Sequence, residues 1–169
     1  MRKSINIILS LLFIVPSLTL SAQSNEEELD QLELMKQFIG TWEAETGKDS
    51  VTVLLFTPIN NGLHILQEDK ANEEAYDTYK GVLGLSDDKQ MIFGAAPSPD
   101  GTMIIDYGKF ETKNKYKIDR YFGNTSHVAQ MLEWEFLTPG SFVIRAKWRG
   151  NGMTWAEDWV EWFTFNKID

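Results

Sequence analysis

Gly40-Thr41-Trp42-Glu43-Ala44-Glu45-Thr46 is where the pattern of the chain changes. Trp42, Ala44 and Thr46 alternate with Thr41, Glu43 and Glu45. A period of two is that of a strand whose two faces meet different surroundings. The residues before it repeat at another spacing. Leu29, Leu32 and Met35 or Lys36 recur every three to four residues between Asn25 and Phe38, with Leu34 and Phe38 flanking. That spacing predicts a helix. Glu26, Glu27, Glu28 and Asp30 crowd its first turn, where carboxylates suit the positive end of the helix dipole. Asn25 or Ser24 is the expected N-cap, so the acidic run reads as helix-start chemistry rather than an interaction tail.

Beyond Thr46 short β-rich runs follow one another at 51–57, 62–69, 76–85, 90–96, 102–111, 115–122, 129–137, 142–149 and 155–166. With the Trp42 segment they make about ten strands. Turn chemistry separates them, as in Pro58-Ile59-Asn60-Asn61-Gly62, Ser86-Asp87-Asp88-Lys89 and Pro139-Gly140-Ser141. No helix-length pattern intervenes, so the strands belong to an antiparallel sandwich or barrel. No repeat of fixed length is present, which argues against a propeller or solenoid. Gly81, Gly84, Gly94 and Gly108 fall inside strand patterns and suggest bulges or strong curvature.

One hairpin can be registered from residue types. A three-residue loop at Pro139-Gly140-Ser141 sets Phe136 opposite Ile144, Trp134 opposite Ala146 and Leu132 opposite Trp148. Glu135 then meets Arg145, and Glu133 meets Lys147, on the other face. A two-residue loop would mix the faces. In the preferred register Trp134 and Trp148 are buried, and Arg145, Lys147 and Arg149 form a solvated, salt-bridged stripe.

Composition excludes whole classes. The 169 residues suit one domain. Sixteen Lys and Arg against 25 Asp and Glu give a formal charge of -9, which repels nucleic-acid phosphates. Aromatics at 12% exclude a disordered chain. The absence of cysteine excludes disulfides, cysteine-ligated zinc or iron–sulfur sites, a thiol nucleophile and an acylated lipoprotein anchor.

The N-terminus has its own logic. Arg2 and Lys3 precede a mostly apolar stretch from Ile5 to Leu20, and Ser21 and Ala22 are small. This is the order of a secretory signal peptide, expected over 1–23, with the domain over 24–169. The apolar run is short for a span of roughly 20 residues. Its removal takes two positive charges and would move the formal charge from -9 to about -11. The expected location is the periplasm or the exterior, with no membrane segment left in the processed chain.

The short helix, the run Phe38-Ile39-Gly40-Thr41-Trp42-Glu43 and the β meander with a Trp-rich last strand together resemble the lipocalin-like calycins. Small secreted bacterial lipocalin-like proteins are the nearer resemblance. It covers roughly 27–168 in layout, with Gly40-x-Trp42 as its one specific motif. The resemblance implies an antiparallel up-and-down β-barrel of about ten strands, preceded by one short N-terminal helix. It implies that Gly40 turns the chain into the first strand and that the Trp42 indole plugs one barrel end, its N–H capping a carbonyl. Nitrobindin, a ten-stranded haem-binding relative, is the geometric analogue. Its histidine lies near the C-terminus, whereas the last histidine here is His127, so haem does not carry over as the expected cofactor.

Candidate site residues follow from residue type. The expected barrel lining is Trp42, His64, Tyr107, Arg120, Trp134, Trp148, Glu157 and Trp159. Gln67, Tyr79, Asp106 and Tyr121 are further polar candidates, and Arg120 could hold a ligand carboxylate by two parallel bonds. No spacing of histidines and carboxylates makes a zinc site, and no serine elbow is present. The favoured expectation is a non-catalytic exported protein that holds a small apolar or amphipathic molecule. Two alternatives stay open. One is an acid/base enzyme or carbohydrate binder using Trp and Glu of the last strand, with Glu157 or Glu161 and His64 converging in one cleft. The other is a surface interaction module.

Overall fold

The structure, a computed structural model, describes residues 28–169 apart from 73, 89, 99, 124 and 150–153. The expected signal peptide over 1–23 and the expected N-caps Ser24 and Asn25 lie outside the described residues. The helix α1 spans Gln31–Met35 and continues into one tight turn over Lys36–Phe38. It starts later than the apolar spacing suggests because Asp30 caps it, its carboxylate accepting the Glu33 N–H at 3.0 Å. The Gln31 amide clamps the helix to the barrel. It accepts from the Phe110 N–H at 2.7 Å and donates to the Phe110 carbonyl at 3.2 Å.

Ten strands follow: β1 Gly40–Gly47, β2 Ser50–Ile59, β3 Gly62–Ala71, β4 Glu74–Leu85, β5 Ile92–Pro97, β6 Met103–Thr112, β7 Lys115–Phe122, β8 Gln130–Thr138, β9 Ser141–Trp148 and β10 Val160–Lys167. Each pairs antiparallel with its neighbour in sequence, and β1 pairs with β10. The protein is therefore an all-β, closed ten-stranded antiparallel barrel with one short helix before it. This architecture is compatible with a calycin or lipocalin-like fold.

One end of the barrel is packed solid. Phe38 is fully buried, with ring centroids of Phe56, Phe110, Trp134 and Phe136 between 5.1 and 5.8 Å away. Trp42, Phe142 and Phe165 complete this plug, all of them buried. Burial of each such ring contributes about 1.5–3 kcal/mol.

The Gly40–Trp42 motif acts as the sequence implies. Gly40 has φ +127°, a conformation that disfavours any side chain. The Trp42 Nε1–H donates to the Phe38 carbonyl at 2.6 Å. Closure is reinforced from the C-terminus. Lys167 Nζ donates to the Ile39 carbonyl at 2.7 Å and lies 5.3 Å from the Trp42 ring centre. The Asp169 carboxylate accepts from the Thr41 N–H at 2.5 Å and the Thr41 hydroxyl at 2.6 Å.

Two expectations need correcting. The β8–β9 hairpin sets Phe136 opposite Phe142, Trp134 opposite Ile144, Leu132 opposite Ala146 and Gln130 opposite Trp148. The loop is the two-residue turn Pro139-Gly140, and the register shifts between Phe136 and Thr138. Leu137, 55% exposed, is the extra residue that restores the alternation a bare two-residue loop would lose. Trp148 consequently ends at the barrel mouth, 36% exposed rather than buried. The second correction concerns the last strand, which begins at Val160 rather than 155. Trp155 makes only an isolated bridge to Arg149, and Glu157 and Trp159 belong to the connection before β10.

On the outer face of β9, Arg145 and Lys147 are partnered, whereas Arg149, just beyond the strand, has a buried Nε with no hydrogen-bond partner among the described residues. Arg145 donates to Glu135 at 2.6 Å and lies within 3.3 Å of Glu133, and its hydrogen bond holds the Glu135 carboxyl below the usual range. Lys147 donates to the Glu157 carbonyl at 2.9 Å, and Arg149 stacks 5.0 Å from the Trp155 ring centre.

Candidate functional site

The half of the barrel away from α1 is hollow. A cavity of about 470 Å³ is lined by inward residues of β1 to β10, a volume that suits a small-molecule ligand. Its walls are mainly apolar, including Leu54, Ile65, Leu83, Ile104, Ile118, Leu132, Ile144 and Phe163. Space remains on one side because β5 brings only small residues to the cavity, Gly94, Ala95 and Ala96, while its Ile92 is buried in the core. A Cβ at Gly94 would come 3.0 Å from Leu83 and 3.2 Å from Asp106.

The polar lining is organised in two groups. Arg120 on β7 faces Asp106 on β6, with Nε to Oδ1 at 2.9 Å and Nη2 to Oδ2 at 2.8 Å. Burial works against the Arg120 charge, but the bond and charge of Asp106 outweigh it and raise its pKa. Arg120 Nη1 also reaches Gln130 Oε1 at 3.5 Å. The second group spans β2, β3 and β4. The Thr52 hydroxyl donates to Asp69 at 2.5 Å, the Gln67 amide donates to Asp69 at 3.1 Å, and the Tyr79 hydroxyl donates to Gln67.

Deeper, Tyr116 on β7 pairs with Trp134 on β8, and both line the cavity. The Tyr116 ring lies over Gly108, where a Cβ would approach its Cε2 to 2.7 Å. Tyr116 is 1% and Trp134 9% exposed. Neither the Tyr116 hydroxyl nor the Trp134 Nε1 has a hydrogen-bond partner among the described residues. Burial, followed by the Asp106 charge, pushes the Tyr116 hydroxyl well above its ordinary value, so it stays protonated.

The eight expected lining residues separate clearly. Arg120 and Trp134 line the cavity. Trp42 lies below it, in the aromatic plug. Trp148 stands at the mouth against Trp162, with ring centres 5.1 Å apart. His64 is exposed on the outer wall in a shallow depression with Leu55, Thr57 and Lys80. Tyr107 is also exposed outside, edge-on to Phe93 and Tyr121. Glu157 is exposed, and Trp159 lines an outer groove with Met131 and Tyr107. Of the further polar candidates, Gln67, Tyr79 and Asp106 line the cavity and Tyr121 does not, lying beside Tyr107. Sequence reasoning missed Tyr116, Thr52, Asp69 and Trp162.

The convergence required by the acid/base alternative is not found. Glu161 extends from the outer side to Arg145 at 3.5 Å, while His64 and Glu157 occupy separate exposed positions. Among the described residues no group of three or more His, Asp or Glu could hold a metal ion.

Fold and site together define a closed antiparallel barrel with a half-filled interior and an internal polar belt. Compared with protein-family models, curated proteins and solved structures, the chain matches none.

Proposed function

We propose that this chain is an exported lipocalin-like protein that holds a small amphipathic molecule inside its barrel without catalysis. The cavity of about 470 Å³ carries the reading. Its apolar walls supply affinity through burial, and its few polar groups orient the ligand. Away from the aromatic plug, Trp162 lines the cavity in ring contact with Trp148, and Trp148, Phe122 and Val160 are exposed apolar side chains. Export rests on the basic, apolar and small-residue order of 1–23.

The test is native mass spectrometry of protein recovered from the periplasm or medium of its own host. A co-purified small molecule and a mature N-terminus within 21–24 are the expected results. In parallel, purified protein should bind the apolar fluorophore N-phenyl-1-naphthylamine, and Ala96→Trp should abolish binding while preserving the far-ultraviolet circular dichroism. Equal binding by the filled-cavity variant would place the fluorophore elsewhere and sink the proposal.

A further inference from the structure

We infer that the cavity takes an amphipath whose inward head group is uncharged and accepts hydrogen bonds, such as an alcohol, ketone or amide, and that it rejects carboxylates. This rests on the proposed binding role and specifies its ligand.

The first support is charge. Asp69, Asp106 and Arg120 are the charged residues of the lining, one cation against two carboxylates. The cation is already matched, because both Asp106 oxygens are bound by the Arg120 guanidinium at 2.8 and 2.9 Å. A ligand carboxylate could use that fork only by displacing Asp106, which would leave a buried anion unpaired. Asp69 adds further negative charge, partnered by the neutral donors Thr52 and Gln67.

The second support is the pair of unused polar groups. Tyr116 and Trp134 stand side by side on β7 and β8, ring centres 6.2 Å apart, both more than nine-tenths buried and both lining the cavity. Buried polar groups without partners cost stability. Trp Nε1–H can only donate, and a protonated Tyr hydroxyl can donate or accept. The group that satisfies both is an acceptor oxygen, or a hydroxyl, brought in by the ligand. The apolar walls of the cavity then meet the tail.

Lauryl alcohol, laurate and laurylamine differ only in head group and serve as probes. Their affinities for the full processed protein are to be compared at neutral pH by the change in tryptophan fluorescence and by calorimetry. Lauryl alcohol should bind at least about tenfold more tightly than laurate and more tightly than laurylamine. Tyr116→Phe should weaken lauryl alcohol about fivefold while leaving the urea midpoint of the empty protein unchanged or higher. Laurate binding as well as the alcohol would overturn the inference while the cavity reading stands. Tighter laurylamine binding would place the head at Asp69 and overturn it equally. No binding by any probe, with no displacement of N-phenyl-1-naphthylamine, would overturn the cavity reading itself.

Discussion

Arg120 and Asp106 stand opposite one another on adjacent strands and share two hydrogen bonds inside the barrel, at 2.8 and 2.9 Å. The pair is largely shielded, and each partner stabilises the other's charge away from bulk water. Breaking such a pair from one side costs about 3–5 kcal/mol, because the remaining charge is left uncompensated. Arg120→Met alone should therefore destabilise strongly. Arg120→Met with Asp106→Leu should cost less than Arg120→Met alone. Urea unfolding of the two singles and the double completes the cycle. Additive losses would show that the two side chains do not act as a unit.

On the proposed ligand reading, the same pair sets which ligand charge the cavity accepts. Asp106→Asn removes one carboxylate and leaves the Arg120 guanidinium without its anionic partner. Its fork is then free to receive a ligand carboxylate by two parallel bonds. Laurate affinity should rise by about tenfold or more, and lauryl alcohol affinity should change little by comparison. Calorimetric titration of both probes into the variant reads the result, and an unchanged laurate affinity would contradict it.

How far the sequence discloses this site depends on how cleanly each strand alternates. Arg120 is placed inside because β7 reads as a regular strand, and the same parity puts Ile118 and Tyr116 beside it. Parity counted back from Arg120 was the signal that could have found Tyr116. His64 gives no such guidance, since Leu63 and Ile65 flank it and apolar residues occupy both faces of β3. Tyr107 misleads for the opposite reason. On β6 the carboxylate of Asp106 points in and the aromatic Tyr107 points out, against the usual polarity. That inversion is intelligible only once Arg120 is known to lie opposite Asp106, a contact set by register between strands. Glu157 and Trp159 look like residues of the last strand because 155–159 is β-prone, yet that segment finds little partner on β9. By contrast Gly40 and Trp42 act within a few residues of each other, so their geometry is local and legible.

The entry into β1 should tolerate little change. A side chain at Gly40 meets both the φ of +127° and Lys167, whose Cε would lie 2.5 Å from the new Cβ. Gly40→Ala should cost about 1–3 kcal/mol, as strain of this kind does. Trp42→Phe keeps an aromatic ring but leaves the buried Phe38 carbonyl without the Nε1–H that now bonds it at 2.6 Å. About 1–3 kcal/mol is expected there from the unsatisfied acceptor. Thermal melts of both variants check these values, and a melt unchanged from wild type would contradict the assigned roles.

Phe38 should be the costliest single truncation in the plug. Its ring is fully buried among the rings of Phe56, Phe110, Trp134, Phe136 and Phe142. Phe38→Ala should cost about 3–5 kcal/mol. The space it vacates borders Trp134, which also lines the cavity, so the variant should accept a bulkier apolar probe than wild type. Denaturation and probe titration together test this, and a small stability loss would mean that the plug collapses to fill the gap.

Acid should loosen the seam between β1 and β10 through Asp169. Its hydrogen bonds from the Thr41 hydroxyl and N–H, helped by the charge of Lys167, hold the carboxyl below its ordinary pKa. A carboxyl depressed in the folded state favours folding at pH values above its unfolded pKa, near about 4. That contribution is lost as pH falls from there through the folded pKa, when the carboxylate gains a proton and the two Thr41 bonds weaken. Asp169 is exposed, so salt should reduce the Lys167 part of the effect. Asp169→Asn should remove part of the stability loss between about pH 4 and 2, and lower the melting temperature at neutral pH. Amide exchange at Ile168, whose N–H donates to the Thr41 carbonyl at 2.9 Å, should quicken in the variant at neutral pH. Wild-type exchange at Ile168 in Asp169→Asn would show that the seam is held by the strand pairing and Lys167 alone.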